Sequence, residues 1–456
     1  MPTKAARERL AHRCDECGYE TAKWVGRCPQ CQAWGTVVEI AARPGLSVVA
    51  GPVTTAARPI ADIAGQSARH RPTGEPELDR VLGGGLVPGS VVLLAGEPGV
   101  GKSTLLISAA AQIARAGRRC LIVTGEESAA QVRLRADRIG AIADSLYLAA
   151  ETDLAAVLGH VEAVDPHVLI VDSVQTVGSA TVEGSPGGVA QVREVAGALI
   201  RTAKARGMAT LLVGHVTKDG AVAGPRTLEH LVDVVLSFEG DRHSRLRLVR
   251  TIKNRFGPAD EVGCFDLTDD AIVGLPDPSG LFLAHGVTPV AGTCVTVTME
   301  GRRALVSEVQ ALVTSSPQAN PRRATSGVDG ARIAMLLAVL DRHRDFRLHS
   351  QEVYAATVGG VRLAEPATDL ALALAIASAV TRVPVRPGMV AVGEVGLAGE
   401  IRPVSALRAR LAEAARLGFT TALVPRDSGA APGGMRTIEV PELVPALHHG
   451  LSSARA

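Results

Sequence analysis

The stretch that decides the fold is TGEPELDRVLGGGLVPGSVVLLAGEPGVGKST, residues 73–104. It places an apolar run, Val91 to Ala95, before a glycine-rich loop, and a helical pattern, Thr104 to Arg115, after it. In such a loop, backbone N–H groups surround a β-phosphate, the lysine (Lys102) reaches the β- and γ-phosphates, and the serine hydroxyl (Ser103) ligates Mg²⁺. The sequence therefore predicts a site for ATP and Mg²⁺. We call these residues the phosphate loop: Gly96, Glu97, Pro98, Gly99, Val100, Gly101, Lys102 and Ser103, followed by Thr104.

Short apolar runs alternate with alanine-rich amphipathic stretches from residue 73 to about 283. Uninterrupted β-branched runs between helical patterns are typical of parallel strands that are buried on both faces. We therefore predict an α/β domain over residues 72–286, with a mostly parallel sheet flanked by helices. The runs are Val91 to Leu94, Leu121 to Val123, Val168 to Val171, Leu211 to Val213 and Val232 to Leu236, of which the last contains Asp233.

Three acidic residues follow two of these runs. Asp172 ends the run that starts at Val168, where a carboxylate would face the magnesium ion. Glu126 and Glu127 follow the run that ends at Val123, and one of them is predicted to orient the attacking water, with Glu126 slightly preferred. The alternative is that these glutamates only stabilise the positive end of the next helix, from Ala129 onward.

Four of the seven cysteines form two C-x-x-C pairs near the start of the chain, Cys14 with Cys17 and Cys28 with Cys31. Two such pairs can place four thiolates around one tetrahedral zinc ion, and we predict a structural zinc centre in a domain over residues 1–40. Spacing alone leaves open whether this domain contacts DNA or another protein. Residues 41–71 have no strong periodicity and are predicted to be a linker.

Composition excludes several classes of protein. The chain has 456 residues, a net charge of +2, 46% hydrophobic and 21% charged residues, which is typical of globular domains and not of disordered chains. The longest apolar stretch, Leu370 to Val380 with Ser378 as its one polar residue, is too short to cross a bilayer, and MPTKAARERL lacks the apolar core of a secretory signal. We therefore expect a cytoplasmic protein without a membrane segment. An aromatic share of 2% disfavours DNA binding by base stacking over most of the chain.

A basic run interrupts this balanced composition. Residues 241–257 contain six basic residues and one acidic residue, a local charge of +5. The alternation from Arg245 to Leu248 predicts a strand with arginines on one face and leucines on the core face. A solvated basic face with no further role is the alternative. The basic residues are Arg242, Arg245, Arg247, Arg250, Lys253 and Arg255.

Residues 73–104 resemble the ATPase core of the RecA, KaiC and replicative-helicase class. The run KNRFG, residues 253–257, together with the cysteine pairs, resembles the bacterial RadA (Sms) family over essentially the whole chain. The resemblance implies a DNA-dependent ATPase and helicase of recombinational repair, a homohexameric ring that acts with RecA on single-stranded and branched DNA. The rival interpretation, a KaiC-like regulatory ATPase switch, would predict two ATPase cores.

The same resemblance assigns further roles. It implies that Lys253 and Arg255 contact the triphosphate of a neighbouring subunit, although a DNA contact stays open. It implies that His215, which ends the run Leu211 to Val213, senses the γ-phosphate; a structural histidine is the alternative. Two loops, residues 217–226 with Lys218 and residues 178–188 followed by Arg193, are candidate DNA contacts or simple connectors.

The last part of the chain, residues 287–456, has a different texture. Alternating Val–Thr strands and helices near 367–380 and 405–417 predict an α+β domain. AEPATD, residues 364–369, and VGEVGLAGEIRP, residues 392–403, resemble the proteolytic domain of Lon. Where active members carry serine and lysine, this chain has Ala367 and Arg408, and arginine cannot act as a base. We therefore predict an inactive protease domain that helps assembly or guides DNA, with candidate contacts Arg302, Arg303, Arg402 and Arg410.

Overall fold

A computed structural model of the chain describes residues 11–40, 57–62, 69–215, 226–240, 245–268, 270–283, 289–316, 318, 320–342 and 346–452. The chain divides into two compact units after residue 64. Most of the predicted linker, the loop that contains Lys218, and Arg242 lie outside the described residues. Within the described ranges, none of the helices is both long enough and apolar enough to cross a membrane.

The first unit contains a small antiparallel sheet. Its strands are β1 (Ala11–Cys14), β2 (Glu20–Thr21) and β3 (Val37–Ile40), in the order β2-β1-β3. Cys14, Cys28 and Val37 are the buried residues of its hydrophobic cluster. A core of this size cannot stabilise a domain of some 30 residues, so the fold depends on what the cysteines bind.

The second unit contains a nine-stranded sheet. Its order is β12-β11-β10-β9-β4-β8-β7-β5-β6, with parallel pairing from β9 to β6 and antiparallel pairing from β9 to β12. The parallel part confirms the predicted α/β architecture. The strands are β4 (Val91–Gly96), β5 (Cys120–Thr124), β6 (Leu146–Ala150), β7 (Val168–Asp172), β8 (Ala209–His215), β9 (Val234–Gly240), β10 (Leu246–Asn254), β11 (Val262–Leu267) and β12 (Ile272–Gly274).

Helices cover both faces of this sheet. Alternate residues of β4 face opposite sides, so Val92 and Leu94 pack with one set of helices while Val91 and Leu93 pack with the other. The first set is α1 (Pro76–Leu82), α2 (Lys102–Arg115) and α3 (Ala129–Arg138). The second set includes α4 (Leu154–Val164) and α5 (Val189–Arg206), and the short α6 (Arg226–Glu229) precedes β9.

The same unit contains a seven-stranded mixed sheet in the order β15-β16-β14-β13-β17-β20-β21, and a two-stranded sheet of β18 and β19. Helix α8 explains the longest apolar run, because residues Leu370 to Ala377 are all buried in the core. The strands are β13 (Thr293–Glu300), β14 (Arg303–Ser315), β15 (Arg323–Ser326), β16 (Gln351–Thr357), β17 (Met389–Ala391), β18 (Glu394–Val395), β19 (Ile401–Arg402), β20 (Thr421–Val424) and β21 (Arg436–Glu439). The helices are α7 (Gly330–Asp341), α8 (Asp369–Thr381), α9 (Leu407–Arg416) and α10 (Leu443–Gly450).

The two large sheets share part of their core. Leu246 and Val262 of the nine-stranded sheet belong to the same buried cluster as α7 and α8. The side chain of Arg303 in β14 pairs with buried Glu77 in α1, the helix that packs on the nine-stranded sheet. A Cβ at Gly301 would be 2.0 Å from the carbonyl oxygen of Asp260, so the backbones approach closely here. Packing of this kind joins both sheets in one compact unit.

Candidate active site

The phosphate loop runs from the end of β4 to the start of α2. Gly101 precedes the helix with φ of 109°, a left-handed conformation that favours glycine. A Cβ at Gly96 would be 2.5 Å from the carbonyl oxygen of Phe238, so glycine is required there as well. Nζ of Lys102 donates hydrogen bonds to the carbonyl oxygens of Gly96 and Glu97, both at 2.8 Å. The loop thus holds its own ammonium group in place.

Side chains at the carboxyl ends of three neighbouring strands meet beside this loop. Nε2 of His215 lies 2.8 Å from Oε1 of Glu126, and Nδ1 of His215 lies 3.4 Å from Nζ of Lys102. Glu126, Asp172 and His215 each offer one possible metal-ligand atom, and these three atoms lie within 4.8 Å of one another. The hydroxyl of Ser173 donates to Glu126 at 2.7 Å. The structure therefore brings four of the predicted site residues together around one point.

Burial and neighbouring charges tune these groups. Burial raises the pKa of Asp172 above its ordinary value, although a hydrogen bond with Ser103 opposes the shift. Burial lowers the pKa of Lys102, against the attraction of Asp172 and Glu126. For Glu126, burial alone would raise the pKa, but Ser173 and His215 outweigh it and lower the pKa. Glu126 is therefore a carboxylate at neutral pH.

The two adjacent glutamates have different surroundings. Oε1 of Glu127 lies 2.6 Å from Nη2 of Arg135, whereas Glu126 contacts His215 and Ser173. Helix α3 is capped by Ser128 in a capping box with Gln131, so neither glutamate is its N-cap. A cavity of about 30 Å³ reaches both glutamates, and its polar lining residues are Ser103, Thr124, Glu126, Glu127, Arg135 and Asp172.

The basic run differs from its prediction. Leu246 and Leu248 pack in the core of the unit, as the alternation predicts. However, Arg247 is only 6% exposed, and its Nε donates to the carbonyl oxygen of Val100 at 3.1 Å. A solvated basic face is therefore wrong for the start of β10, because Leu246 and Arg247 lie on opposite faces and both are buried.

The charge of +5 over residues 241–257 is also balanced locally. Acidic residues from adjacent segments pair with the described arginines, and a count along the sequence omits them. The strand is therefore no basic surface over its described part. The pairs are Arg245 with Asp266, Arg250 with Glu239 and Glu300, and Arg255 with Asp233.

Lys253 and Arg255 lie at the other end of the sheet from the phosphate loop. Nζ of Lys253 donates to the carbonyl oxygens of Glu229 and Val232, both at 2.8 Å. Nη1 of Arg255 lies 3.2 Å from Asp233, whose backbone N–H donates to Val91 at the start of β4. The phosphate loop begins at the opposite end of β4, about 16 Å away for five residues of strand. Both cations therefore point away from their own chain's loop.

Residues 178–188 form an ordered connection around one side chain. The amide of buried Gln191 accepts a hydrogen bond from the N–H of Ser179 and donates to the carbonyl oxygens of Ser179 and Gly184. Arg193, two residues further along α5, is exposed. Of the other candidate loop, residues 217–226, all but the last residue lie outside the described residues.

The first unit brings its four cysteines together. Sγ of Cys14 and Sγ of Cys31 are 3.6 Å apart, as are those of Cys17 and Cys28, and all four lie within 4.8 Å of one another. Tetrahedral zinc with Zn–S bonds of about 2.3 Å needs sulfur atoms about 3.8 Å apart. The hydroxyl of Thr36, 3.2 Å from Cys14, lowers the pKa of this thiol to about 6. The donor set therefore fits zinc.

The region of the predicted inactive protease shows no accessible nucleophile at the matching positions. Ala367 is buried, and the hydroxyl of Thr368 donates to the carbonyl oxygen of Glu365.

Arg410, a candidate DNA contact, is completely buried and binds both carboxylate oxygens of Glu365. The side chain of Arg303 is 9% exposed and pairs with Glu77. The DNA-contact prediction is therefore wrong for Arg303 and Arg410, because packing encloses both; Arg302 and Arg402 remain at the surface in ion pairs.

Sequence reasoning missed two residues of the site. Ser173 holds Glu126 and would have been a candidate from its place after Asp172. The sequence pattern places Arg247 only on a basic strand face. Its bond to Val100 joins positions 147 residues apart, and no local pattern indicates such a contact.

This fold and this site define a RecA-like phosphate-loop ATPase that carries a four-cysteine zinc ribbon. Three family models match: "AAA domain" over residues 57–221, "Rubredoxin metal binding domain" over residues 12–39, and "Subunit ChlI of Mg-chelatase" over residues 359–428. A KaiC-like protein from Pyrococcus horikoshii OT3 matches as a solved structure with a TM-score of 0.37 and 24% identity, covering 46% of this chain and 100% of its own.

Curated relatives match over nearly the full length. The DNA repair protein RadA of Mycobacterium tuberculosis is 54% identical over 97% of this chain and 94% of its own length. The RadA proteins of Mycolicibacterium smegmatis and Halalkalibacterium halodurans are 54% and 44% identical, over 94% and 92% of this chain and 94% and 93% of their own. The chain belongs to the RadA family of DNA repair proteins.

Proposed function

We propose that the chain is a DNA-dependent ATPase and helicase of recombinational repair. In this proposal it acts in the cytoplasm as a homohexameric ring on single-stranded and branched DNA, and promotes branch migration together with RecA. The observation that carries the proposal is the meeting of Lys102, Glu126, Asp172 and His215 beside the phosphate loop, in a member of the RadA family.

ATP would bind with its phosphates against the backbone N–H groups of the phosphate loop. Ser103 and Asp172 are the residues that would hold Mg²⁺, which neutralises phosphate charge when bound. Lys102 would contact the β- and γ-phosphates. Glu126, a carboxylate fixed by Ser173 and His215, would orient the attacking water. Glu127 is engaged by Arg135, which supports the preference for Glu126.

His215 is suited to report whether the γ-phosphate is present. It lies between Lys102 and Glu126, two groups that face the γ-phosphate in this proposal. Its backbone is held by the side chain of Gln175, which accepts from the N–H of His215 and donates to its carbonyl oxygen. His215 is also the last residue of β8, and the segment after it is a candidate DNA loop. Displacement of His215 would therefore be transmitted along the chain to that loop.

Lys253 and Arg255 support a ring. They lie at the end of the strands that is opposite to their own phosphate loop. In this proposal they therefore reach a triphosphate only in another subunit. Arg255 is 52% exposed although it pairs with Asp233, so a neighbouring phosphate can compete for it. Positive charge from an adjacent subunit stabilises the transition state of phosphoryl transfer.

We propose that the four divisions of the chain have separate roles: zinc ribbon at 1–40, linker at 41–71, ATPase at 72–286 and Lon-like region at 287–456. The last has no proteolytic role in this proposal. Ala367 supplies no hydroxyl, Thr368 is buried, and the sequence contains no lysine after Lys253. In this proposal the region helps to assemble the ring or guides DNA, and Arg302 and Arg402 remain exposed for a DNA contact.

The rival function, a KaiC-like regulatory switch, has less support. The sequence carries one phosphate-loop motif instead of two, and it carries a zinc ribbon that such a switch does not need. The two functions predict different behaviour with DNA. A helicase should couple ATP turnover to separation of a forked duplex, with less activity on a blunt linear duplex. Equal, slow turnover with every DNA, together with phosphorylation of the protein itself, would favour the switch.

A further inference from the structure

Both tryptophans of the chain lie on the outside of the zinc ribbon. Trp24 is 64% exposed and Trp34 is 74% exposed, although tryptophan is usually well buried. A Cβ at Gly26 would lie 3.7 Å from Cη2 of Trp24 and 4.0 Å from Cζ3 of Trp34, so the two indole rings flank this glycine. Two large apolar rings are thus presented together to solvent, which indicates a binding surface.

Cationic side chains accompany these rings. The guanidinium carbon of Arg27 lies 5.7 Å from the ring centroid of Trp34. Arg27 is held there by hydrogen bonds from Nε and Nη2 to the carbonyl oxygen and side-chain oxygen of Gln32, at 2.9 and 2.8 Å. Lys23 precedes Trp24. Residues 22–35 contain these two cations and no aspartate or glutamate, so positive side chains lie beside the tryptophans in the sequence.

The ribbon fixes the geometry of this surface. Trp24 and Arg27 precede Cys28, and Trp34 follows Cys31, so the second cysteine pair holds both sides of the surface at the metal centre. The backbone N–H of Gly35 donates to the carbonyl oxygen of Gly26, and Arg27 pairs with Trp34 across a β-bridge. The fold therefore fixes the backbone beside both rings, which reduces the ordering that ligand binding requires.

We propose that Trp24 and Trp34 form a base-stacking surface for single-stranded DNA. A ligand that combines flat π faces with negative charge fits adjacent indole rings and cations, and unpaired bases on a phosphate backbone have both properties. Duplex DNA does not, because its bases are stacked on one another. This inference rests on the proposed function for the DNA, and it adds a stacking contact that the low aromatic content of the chain disfavours elsewhere.

The test uses the intrinsic tryptophan fluorescence of the full-length protein, which reports on this surface alone because the sequence contains two tryptophans. Oligothymidylate should quench the emission, and an abasic polymer of equal length, which has the phosphates without the bases, should not. With labelled oligothymidylate, the double variant Trp24→Ala, Trp34→Ala should bind at least about five-fold more weakly. The double phenylalanine variant should retain most of the affinity.

Two controls separate stacking from misfolding. Val38→Ala removes an exposed apolar side chain from β3 of the same ribbon and should leave DNA affinity unchanged. Zinc content near one per chain in every variant should show that the ribbon is folded. If only the alanine variant loses zinc, its weaker binding does not test stacking. The quenching of the unaltered protein by oligothymidylate then decides whether the surface binds DNA.

The outcomes distinguish this inference from the proposed function. If oligothymidylate binds and stimulates ATP turnover but leaves the tryptophan emission unchanged, the stacking surface is refuted while the ATPase proposal stands; a protein partner would then be the occupant of this surface. Quenching by oligothymidylate without any stimulation of turnover would support the surface and contradict DNA-dependent hydrolysis. Absence of DNA binding in both assays would overturn both.

Discussion

Nε of Arg247 donates a hydrogen bond to the carbonyl oxygen of Val100 at 3.1 Å, and this contact joins strand β10 to the phosphate loop. The guanidinium is buried, and a Cβ at Gly240 would lie 2.3 Å from Cδ of Arg247, so the adjacent strand leaves room for it only because residue 240 is glycine. The same strand carries Lys253 near its other end. Strand β10 therefore contacts the phosphate loop of its own chain. It also carries Lys253, which we propose contacts the triphosphate of a neighbouring subunit.

The first prediction concerns this contact. Arg247→Met removes a charged hydrogen-bond donor from the loop and should weaken ATP binding by about ten-fold, since such bonds contribute about 1.5–3 kcal/mol. Isothermal titration with a non-hydrolysable ATP analogue measures the change. Arg245→Met is the matched control, because Arg245 is exposed and pairs only with Asp266 among the described residues. Equal affinities of the two variants would contradict a role of Arg247 in supporting the loop.

The second prediction separates the two adjacent glutamates. Glu126→Gln should lower kcat for ATP by about 100-fold or more and leave ATP binding intact, because a positioned base contributes about that much. Glu127→Gln should lose the ion pair with Arg135 and change kcat by much less. Steady-state turnover and nucleotide binding are measured for both. A larger loss in Glu127→Gln would reverse the assignment.

The third prediction tests sharing of the active site between subunits. Arg255→Ala should bind ATP but turn it over poorly, and Lys102→Ala should fail to bind it. When the two variants are mixed, a Lys102→Ala subunit can offer its intact Arg255 to the intact loop of an Arg255→Ala subunit. Turnover above the sum of the separate proteins is therefore expected. A mixture that shows only that sum would refute action across a subunit boundary.

The fourth prediction concerns pH and the buried pair of Arg410 and Glu365. Burial alone would raise the pKa of Glu365, but hydrogen bonds from Arg410 and from the N–H of Met299 prevail and lower it. A carboxyl whose pKa is lower in the folded state adds stability above the ordinary glutamate pKa of about 4.3, and this stability is lost as the pH falls through the folded-state pKa. Glu365→Gln should therefore reduce the decline of stability below about pH 5.

Removal of the other partner gives a sharper test of this pair. Arg410→Met leaves the carboxylate of Glu365 without its cation and should lower the free energy of unfolding at pH 7 by about 3–5 kcal/mol. Arg402→Met is the control, since Arg402 pairs with Glu400 at the surface, where such pairs contribute about 1 kcal/mol or less. Urea unfolding at several pH values measures both. Similar midpoints for the two arginine variants would show that the buried pair contributes little.

Sequence patterns predicted the parallel sheet, the phosphate loop and the cysteine cluster because each depends on neighbouring residues. The apolar runs ending at Val123, Val171 and Val213 lie in central strands of the sheet, since continuous burial leaves a continuous apolar sequence. Asp172 and His215 could be placed together for the same reason: both end parallel strands, and such ends share one edge of a sheet.

The surroundings of the arginines were not predictable in this way. Arg247 and Arg410 are charged residues in local patterns that suggest exposure, yet both are enclosed by distant segments. Their partners, Val100 and Glu365, lie 147 and 45 residues away. Local alternation identifies two faces of a strand or helix, but which face is covered, and by which acids, depends on how the two large sheets pack. Net charge along a segment therefore overestimated the basic surface near residues 241–257.

We expect DNA to control ATP hydrolysis at this site. The most direct measurement is steady-state ATP turnover of the full-length protein at low salt, with and without single-stranded DNA, beside the Lys102→Ala variant. DNA should raise the turnover of the unaltered protein several-fold, and Lys102→Ala should stay near zero in both conditions. Identical turnover of the unaltered protein with and without DNA, or substantial turnover by Lys102→Ala, would contradict it.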